Sequence, residues 1–521
     1  MPENATPPPT VRAQALAQLR QPRVYDMAIV GGGATGLGLA LDAAQRGLSV
    51  VLVDSHDFAQ GSSSRSTKLL HGGVRYLAQG NIGLVREALH ERTTVLQIAP
   101  GLAHPLAFVI PAIRWWERAF YGAGLTLYDW LAGRAGLGPT RILNSEQTRQ
   151  HLPNARAQGL RGGVLYWDAQ FDDARLAVAL ARTAAAQGAL LLNYCAAREL
   201  VVQGGAVTGL RCEDTLSAET FTVQARCVVN ATGVWVDELR AQERAACGPP
   251  GAHDAALQQP LVAPSQGIHI VVDQRFLGSN AALMVPKTSD GRVLFAVPWL
   301  GRVILGTTDT PRERVEREPT ALREEVDFIL REAARFLVSA PTRADILSLW
   351  VGLRPLVRPQ HAKGNAPGSQ TKKISREHTI LVGPGGMVTV TGGKWTTYRA
   401  MAEDVLQVCA SHGLVPPLRN CRSAHTLLLD GPQQIDAQDA VAQDGVWPAG
   451  LSPQRVQFAV QHEYACTVED VLGRRSRLLF LDAAEARRIA PLVATAMQSA
   501  GVADPQVGQF LDLADKYLQI P

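Results

Sequence analysis

A glycine cluster near the start of the chain constrains the fold more than any other stretch. Gly31, Gly33 and Gly36 follow the apolar run 27–30 at G-x-G-x-x-G spacing, and a second apolar run ends at Asp54. This pattern predicts a strand, a tight turn, a helix whose first N–H groups face a pyrophosphate, and a second strand. The carboxylate of Asp54 stands where it can bind a ribose hydroxyl. The stretch predicts a bound adenine dinucleotide, and its terminal acid favours NAD or FAD over NADP.

The composition is that of a globular enzyme. The chain has 521 residues, 46% hydrophobic and 19% charged, which predicts roughly two or three domains with a large core. The formal net charge of +4 is too small to argue for nucleic acid as a partner. The seven cysteines are scattered without a C-x-x-C pair, which predicts reduced thiols in a cytoplasmic protein. Neither a signal peptide nor an apolar run long enough to span a bilayer is recognised, and attachment to a membrane surface stays open.

Later segments add further dinucleotide signals. Helices are expected over 81–100, 172–187 and 320–338, and β-rich segments over 260–310. Apolar strands run into Ala231-Thr232-Gly233 and into Gly392-Gly393, where the backbone closely approaches a ligand or a helix begins. A first βαβ unit, a long gap and a returning helix–strand pair resemble flavoproteins with two dinucleotide-binding folds, so the layout favours FAD.

The predicted fold is α/β: a two-dinucleotide-binding-fold flavoprotein. It combines a Rossmann-like FAD domain, an antiparallel β-sheet substrate domain and a helical C-terminal domain. The predicted bounds are 1–22 for a flexible tail, 23–77, 172–259 and 346–412 for the discontinuous FAD-binding domain, 78–171 and 260–345 for the substrate or cap domain, 413–435 for a linker, and 436–521 for the helical domain.

The segment 114–134 is unusually aromatic. Trp115, Trp116 and Trp130 lie in it, flanked by Arg114 and Arg134. An aromatic helix with basic flanks suits a membrane interface, and a helix buried in the core or in a dimer interface is the alternative. The sequence leaves both interpretations open.

A set of specific motifs extends from about residue 24 to 482. The motifs are VGGGATGLGLALDAAQRGLSVVLVD, SSSRSTKLLHGGVRYL, FDDARL, VNATGVW, GIHIVVD, GTTD, GLRPLV, SREHTI, TGGKWTTYR and TVEDVLGRRSRLLFLD. In this order they resemble FAD-dependent glycerol-3-phosphate dehydrogenases of the bacterial aerobic, quinone-reducing type. K-x-x-HGG-x-RYL and GGK-x-TTYR are far more specific than the glycine fingerprint. Two features depart mildly from the family pattern. Trp395 stands where many relatives carry Leu or Met, and the N-terminal tail is longer.

The resemblance implies a reaction and its partners. Sn-glycerol 3-phosphate would be oxidised to dihydroxyacetone phosphate by hydride transfer from C2 to flavin N5, with electrons passed to a membrane quinone. The protein would attach peripherally to the cytoplasmic membrane, and a homodimer is left open. A glycerol-3-phosphate oxidase using O₂ and an amine- or D-amino-acid-oxidase-like flavoenzyme are the alternatives. The modest net charge and the lack of a basic stripe disfavour a non-catalytic flavin-binding or tRNA-associated module.

Two chemical needs select the candidate substrate residues. A phosphate dianion is best held by fixed cations, and removal of a hydroxyl proton needs a base. The residues that the resemblance assigns to the substrate site are Arg75, Tyr76, Arg354 and Lys394, with Arg399 as a further candidate.

His269 is the candidate catalytic base. It alternates with Ile268 and Ile270 in a predicted strand, so its side chain points to the opposite face. The family motif places a histidine here, and Arg354 is expected to share the catalytic work by stabilising the substrate alkoxide.

The cofactor is expected to be FAD, bound without a covalent link. The polar loop after Asp54 should run along its pyrophosphate and ring, and two later glycine turns should close its other side. The predicted cofactor-binding residues are Gly31, Gly33, Gly36, Asp54, Ser63, Ser64, Ser66, Thr67, Lys68, His71, Gly72, Gly73, Ala231, Thr232, Gly233, Gly393, Lys394 and Thr396. No metal site is predicted.

Overall fold

The computed structural model describes residues 11–77, 80–248, 259–358, 378–431, 447–448 and 450–521. The side chains of Arg75 and Tyr76 lie outside this description. The strands, in chain order, are β1 Val24–Val30, β2 Val50–Val53, β3 Leu69–Leu70, β4 Ala103–Ala112, β5 Arg141–Leu143, β6 Gly162–Phe171, β7 Leu190–Leu192, β8 Cys195–Gln203, β9 Ala206–Asp214, β10 Thr220–Asn230, β11 Val262–Asp273, β12 Ala282–Val285, β13 Leu294–Trp299, β14 Arg302–Gly306, β15 Thr310–Pro311, β16 Ser348–Val357, β17 His378–Val382 and β18 Val388–Gly392.

Helices cover the faces and one end of the sheets. They are α1 Val11–Leu19, α2 Ala34–Gln45, α3 Val74–Leu77, α4 Ile82–Ile98, α5 Glu117–Ala132, α6 Ser145–His151, α7 Asp173–Ala186, α8 Val236–Cys247, α9 Arg323–Phe336, α10 Tyr398–Ser411, α11 Pro453–His462, α12 Leu478–Leu481, α13 Ala483–Ser499 and α14 Val507–Leu518, with a π-helical turn at Asp470–Arg475. The helices expected over 81–100, 172–187 and 320–338 are confirmed as α4, α7 and α9.

The first sheet, called the nucleotide sheet, has the order β17-β18-β10-β1-β2-β7, extended by β9 and β8. β1 runs parallel to β2, as the glycine motif predicts, and it also runs parallel to β10 on its other side. Its side chains are buried on both faces: Met27 and Ile29 pack with α2 and α7, whereas Ala28 and Val30 pack with β8, β9 and α1. Two covered faces explain why these parallel strands appear in the sequence as continuous apolar runs.

The second sheet, called the substrate sheet, has the order β15-β11-β14-β13-β12-β4-β6-β3, with β16 beside β11 and β5 beside β6. Most of its pairs are antiparallel, as predicted. Two strands lie in a different sheet from that predicted by the bounds 23–77 and 346–412. β3 pairs with β6, and β16 pairs with β11 from Val262↔Val357 to Val271↔Ser348. The loop after Asp54 therefore connects the two sheets.

Within the segment 1–22, for which a flexible tail is predicted, residues 11–19 form helix α1. Helix α1 buries Ala15 and Leu19 against the nucleotide sheet. Arg12 donates from Nη2 to Asp214 Oδ1 at 3.0 Å and from Nε to the Asn193 carbonyl at 3.2 Å. Burial of apolar side chains and a half-buried ion pair together dock this helix. Residues 1–10 lie outside the described residues.

The predicted helical C-terminal region is confirmed as helical. It does not form a separate core: Phe480 of α12 and Phe510 of α14 pack in one cluster with Val271 and Trp350 of the substrate sheet. The C-terminal helices are therefore part of the wall behind the substrate sheet.

Candidate active site

A cavity of about 730 Å³ lies between the two sheets. Its lining combines the glycine turns of the nucleotide sheet with side chains of β11, β13 and β16. The predicted site residues that line it are Gly31, Gly33, Asp54, Ser63, Ser66, Thr67, His71, Gly73, Ala231, Thr232, Gly233, His269, Arg354, Gly393, Lys394 and Thr396. Residues that are distant in the sequence thus meet at one site, at the carboxyl ends of the parallel strands.

The glycine turn after β1 packs closely against neighbouring backbone and lines the cavity. Gly31 has φ +111°, and a Cβ there would lie 2.5 Å from the carbonyl oxygen of Ala231. A Cβ on Gly36 would lie 1.9 Å from the carbonyl oxygen of Gly31, so this glycine serves close packing within the turn. Asp54 Oδ2 accepts a hydrogen bond from the N–H of Gly32 at 2.6 Å. These positions fit the pyrophosphate and ribose of FAD.

Asp54 has an unusual acid strength. Burial raises its pKa to about 7, while the Gly32 N–H and the charge of Arg317 act in the opposite direction. A carboxyl group in this environment is well suited to share a hydrogen bond with a neutral hydroxyl.

Side-chain hydrogen bonds join the loop 61–67, called the serine loop, to the first glycine turn and to the GGKW turn at 392–395. Ser63 Oγ accepts from the N–H of Ala34 at 3.0 Å, and Trp395 Nε1 donates to the carbonyl of Ser63 at 2.8 Å. Thr396 donates to the carbonyl of His71 at 3.4 Å. Trp395, a departure from the family pattern, thus holds the serine loop against the GGKW turn.

His269 lies on β11 and lines the cavity. Its side chain is buried, and its ring stacks on Trp350 with the centroids 5.2 Å apart. Nε2 lies 2.9 Å from Thr67 Oγ1. Burial, followed by the positive charges of Lys68 and Arg354, holds the pKa of His269 well below its ordinary value. The imidazole is therefore neutral near pH 7 and able to accept a proton.

Arg354 lies on β16 beside the histidine. Its Nη2 donates to Thr307 Oγ1 at 3.0 Å and its Nη1 to the carbonyl of Thr308 at 3.1 Å. A Cβ on Gly267 would lie 2.5 Å from Nη2, so the guanidinium lies directly over this glycine, two residues before His269. The two threonines belong to the GTTD motif, and this role was not predicted for them. Their signal was a hydroxyl-rich run directly after a strand.

Arg399 has a structural role instead of the predicted substrate-binding one. Its Nε donates to Glu91 Oε2 at 2.9 Å, and its Nη1 donates to Glu403 Oε1 at 2.6 Å. It is buried and is absent from the cavity lining within the described part of the chain. The two carboxylates hold the guanidinium between α4 and α10, away from the cavity.

Lys68 is likewise behind the cavity wall and does not contact the cavity. Its Nζ donates to the carbonyl of Ser64 at 2.6 Å and to Asp173 Oδ2 at 2.7 Å. It also faces the rings of Trp299 and Trp350 at 5.3 and 5.4 Å. Burial lowers its pKa to about 7, although Asp173 opposes this shift. Ser64, Gly36 and Gly72 also support the wall without being part of the described lining.

The C-terminal region contributes buried charges that the sequence analysis did not assign. Arg474 and Arg475 form ion pairs with Asp57, three residues after Asp54. Arg477 donates to the carbonyl of Ser64 at 2.9 Å and to Asp173 Oδ1 at 3.0 Å. The motif TVEDVLGRRSRLLFLD therefore supports the flavin side of the cavity from behind.

Known proteins share both the fold and the motifs. Residues 26–399 match the family model described as FAD dependent oxidoreductase, and residues 449–505 match that of the C-terminal domain of alpha-glycerophosphate oxidase. The chain is 36% identical over 544 residues to the mitochondrial glycerol-3-phosphate dehydrogenase of Mus musculus, covering 94% of this chain and 72% of that protein. It is 32% identical over 551 residues to the protein of the same name from Schizosaccharomyces pombe, covering 92% and 84%.

A solved structure agrees with this sequence similarity. The glycerol-3-phosphate dehydrogenase from Bacillus halodurans, complexed with FAD, has a TM-score of 0.75 and 26% identity, covering 98% of both chains. The L-alpha-glycerophosphate oxidase from Mycoplasma pneumoniae shares the fold, with a TM-score of 0.57 and 16% identity over 78% of this chain and 100% of that one. The chain belongs to the family of FAD-dependent glycerol-3-phosphate dehydrogenases.

Proposed function

We propose that the protein oxidises sn-glycerol 3-phosphate at C2 to dihydroxyacetone phosphate, using non-covalently bound FAD. The observation that carries this proposal is that the imidazole of His269 and the guanidinium of Arg354 line the same cavity as the glycine turns. The identity of the substrate is inferred from the names of the relatives. When bound, FAD supplies the hydride acceptor.

The side chains divide the work of alcohol oxidation. His269 accepts the hydroxyl proton of the substrate, and Thr67 holds its ring in place through Nε2. Arg354 stabilises the negative charge that develops on the substrate oxygen, because its guanidinium is fixed by Thr307 and Thr308 before substrate binds. Lys394 lines the same cavity and supplies a cation for the phosphate.

Anaerobic titration of the purified holoenzyme tests the substrate assignment. We expect glycerol 3-phosphate to bleach the flavin absorbance stoichiometrically, whereas glycerol and D-amino acids leave it unchanged, because a phosphate dianion is needed to engage the cations of the cavity. Bleaching by D-amino acids and not by glycerol 3-phosphate would instead identify the protein as an amine-oxidising flavoenzyme.

We propose further that electrons leave the protein to a membrane quinone. Stopped-flow reoxidation of the reduced enzyme compares the two candidate acceptors. We expect a soluble quinone analogue to reoxidise it at least about tenfold faster than oxygen, which is a difference of about 1.4 kcal/mol in barrier height. Rapid, stoichiometric formation of hydrogen peroxide would support the oxidase alternative.

Helix α5 carries the proposed contact with an anionic bilayer. Trp115 just before it and Trp130 near its end are 79% and 74% exposed, and Phe120 between them is 63% exposed. This outer face contradicts a helix buried in the core. Arg114 and Arg134 flank it with exposed cations, which suits anionic lipid headgroups. Among the described helices none is sufficiently long and apolar to cross a membrane.

Vesicle co-sedimentation tests this surface. We expect the double variant Trp115→Ser, Trp130→Ser to bind phosphatidylglycerol-containing vesicles at least about tenfold more weakly, since two exposed indoles lose their apolar burial. The matched control is Leu300→Ser, which removes an apolar side chain that is 58% exposed elsewhere on the surface. Equal sedimentation of all three proteins would remove α5 from the contact.

A further inference from the structure

The buried face of α5 contacts the turn 71–75, which follows the serine loop and leads into α3. Tyr128 is 1% exposed, and its hydroxyl accepts a hydrogen bond from the N–H of Gly72 at 2.8 Å. Gly72 lies between His71 and Gly73, which both line the cavity. The same turn continues into α3, whose second residue is Arg75. A side chain of α5 therefore holds the backbone of the most specific family motif.

A buried acid fixes the direction of this hydrogen bond. The Tyr128 hydroxyl donates to Asp168 Oδ2 at 2.9 Å, so it presents a lone pair to Gly72. Asp168 Oδ1 accepts from Arg92 Nη1 at 2.9 Å, and Arg92 Nη2 donates to the carbonyl of Ala135 at 2.6 Å. Burial, followed by the charge of Asp168, raises the pKa of Tyr128 well above its ordinary value, so the hydroxyl keeps its proton.

The turn packs closely against α5 and α4. A Cβ on Gly72 would lie 2.4 Å from the Tyr128 hydroxyl oxygen and 2.6 Å from Leu89 Cδ2 of α4. The backbone therefore packs directly on the tyrosine and on α4. Loss of the hydroxyl would leave the Asp168 carboxylate as the remaining acceptor for the Gly72 N–H, and we expect the turn to shift toward it.

We propose that Tyr128 is a positioning residue, which holds the turn 71–75 in the shape that binds the phosphate of the substrate. The proposal rests on the proposed function, because it assumes that this turn serves a phosphorylated substrate. Preorganisation of the turn lowers the cost of ordering it when substrate binds. Its loss therefore weakens substrate binding more than it slows the chemical step.

The test compares Tyr128→Phe with Tyr121→Phe in the holoenzyme. Tyr121 is a half-buried tyrosine on the same helix that packs against Phe120, outside the described cavity lining. We expect Tyr128→Phe to raise the KM for glycerol 3-phosphate, and the Kd for dihydroxyacetone phosphate measured from the flavin spectrum, about tenfold each. We expect kcat to stay within about threefold and the FAD content per chain to be unchanged. Tyr121→Phe should leave all four quantities at their original values.

Two results would overturn the proposal. One is an unchanged KM and Kd in Tyr128→Phe. The other is a parallel loss of FAD, melting temperature and kcat, which indicates a merely structural role. If that variant is depleted of FAD, reconstitution with excess FAD decides, and the roughly tenfold increases in KM and Kd are still expected at full FAD content. Failure of the proposed function is seen separately, since glycerol 3-phosphate would then not bleach the unaltered enzyme.

Discussion

Replacing His269 with alanine is expected to lower the turnover of glycerol 3-phosphate about 100- to 10,000-fold. The imidazole lines the same cavity as Arg354 and is the proposed base, so its removal would leave the hydroxyl proton without a positioned acceptor. The FAD content per chain should stay the same, because the glycine turns and Asp54 that hold the dinucleotide are on the other sheet. Steady-state kinetics and the flavin-to-protein absorbance ratio measure the two quantities.

The lowered pKa of His269 also predicts the direction in which turnover depends on pH. Because burial lowers the pKa of His269, the base stays unprotonated as the pH falls through the ordinary histidine value, and its contribution to the rate is lost only at more acid pH. The acid limb of the kcat profile should accordingly lie below pH ~6.5 in the unaltered enzyme and disappear in His269→Ala.

A matched control is His104→Ala. His104 is an exposed histidine of β4 whose Nε2 lies 3.2 Å from Gln170 Oε1, outside the described cavity lining. We expect its turnover and its pH profile to equal those of the unaltered enzyme. If His269→Ala retained turnover within about threefold of this control, proton abstraction would have to be assigned to another group.

Replacing Asp57 with alanine is expected to destabilise the protein by about 3–5 kcal/mol. Asp57 is 1% exposed and pairs with Arg474 and Arg475, whose Nη2 donates to Asp57 Oδ1 at 2.9 Å. Its removal leaves two guanidinium groups buried without this partner. Thermal and denaturant unfolding, followed by tryptophan and flavin fluorescence, measure the loss.

Acid should remove the same stabilisation. Burial by itself raises the pKa of Asp57, but the charges of Arg475 and Arg474 outweigh it, so the folded-state pKa is below the ordinary value. The stabilisation is therefore complete above the ordinary aspartate pKa and is lost as the pH falls through the folded-state value. Asp57→Ala should lack this acid-dependent part of the stability.

An exposed ion pair provides the control. Glu485 and Arg488 pair on the outer surface of α13 at 2.6 Å, with side chains 32% and 52% exposed. Glu485→Gln should leave the unfolding midpoint essentially unchanged, because exposed pairs contribute little. If Asp57→Ala melts together with this control, the C-terminal helices do not depend on Asp57 for their attachment.

Local patterns were sufficient for the elements near the dinucleotide. The glycine turn, α2 and the strands β1 and β2 lie within one short stretch, and close backbone approach and two-sided burial leave their signatures in consecutive residues. The strand period likewise separates His269 from its apolar neighbours Ile268 and Ile270. The family motifs identified Arg354 and Lys394, which line the same cavity although they lie on different elements of the chain.

Charged residues were harder to assign, because a sequence does not say whether a cation faces a ligand or a buried acid. Arg399 stands in a specific motif, yet Glu91, 308 positions away, holds it in the protein interior. Lys68 follows the serine loop, but Asp173 and the aromatic rings around it hold it behind the wall. The identity of the partner depends on how helices and sheets pack.

The sequence therefore establishes the cofactor class and the βαβ unit, because each depends on residue types at short, regular spacing. The three-dimensional packing establishes how the site is supported. Tyr128 reaches Gly72 across 56 positions, and Arg475 reaches Asp57 across 418. Such contacts leave no periodic trace in a single sequence, since the free energy of a buried hydrogen bond or ion pair depends on distance and burial and not on separation along the chain.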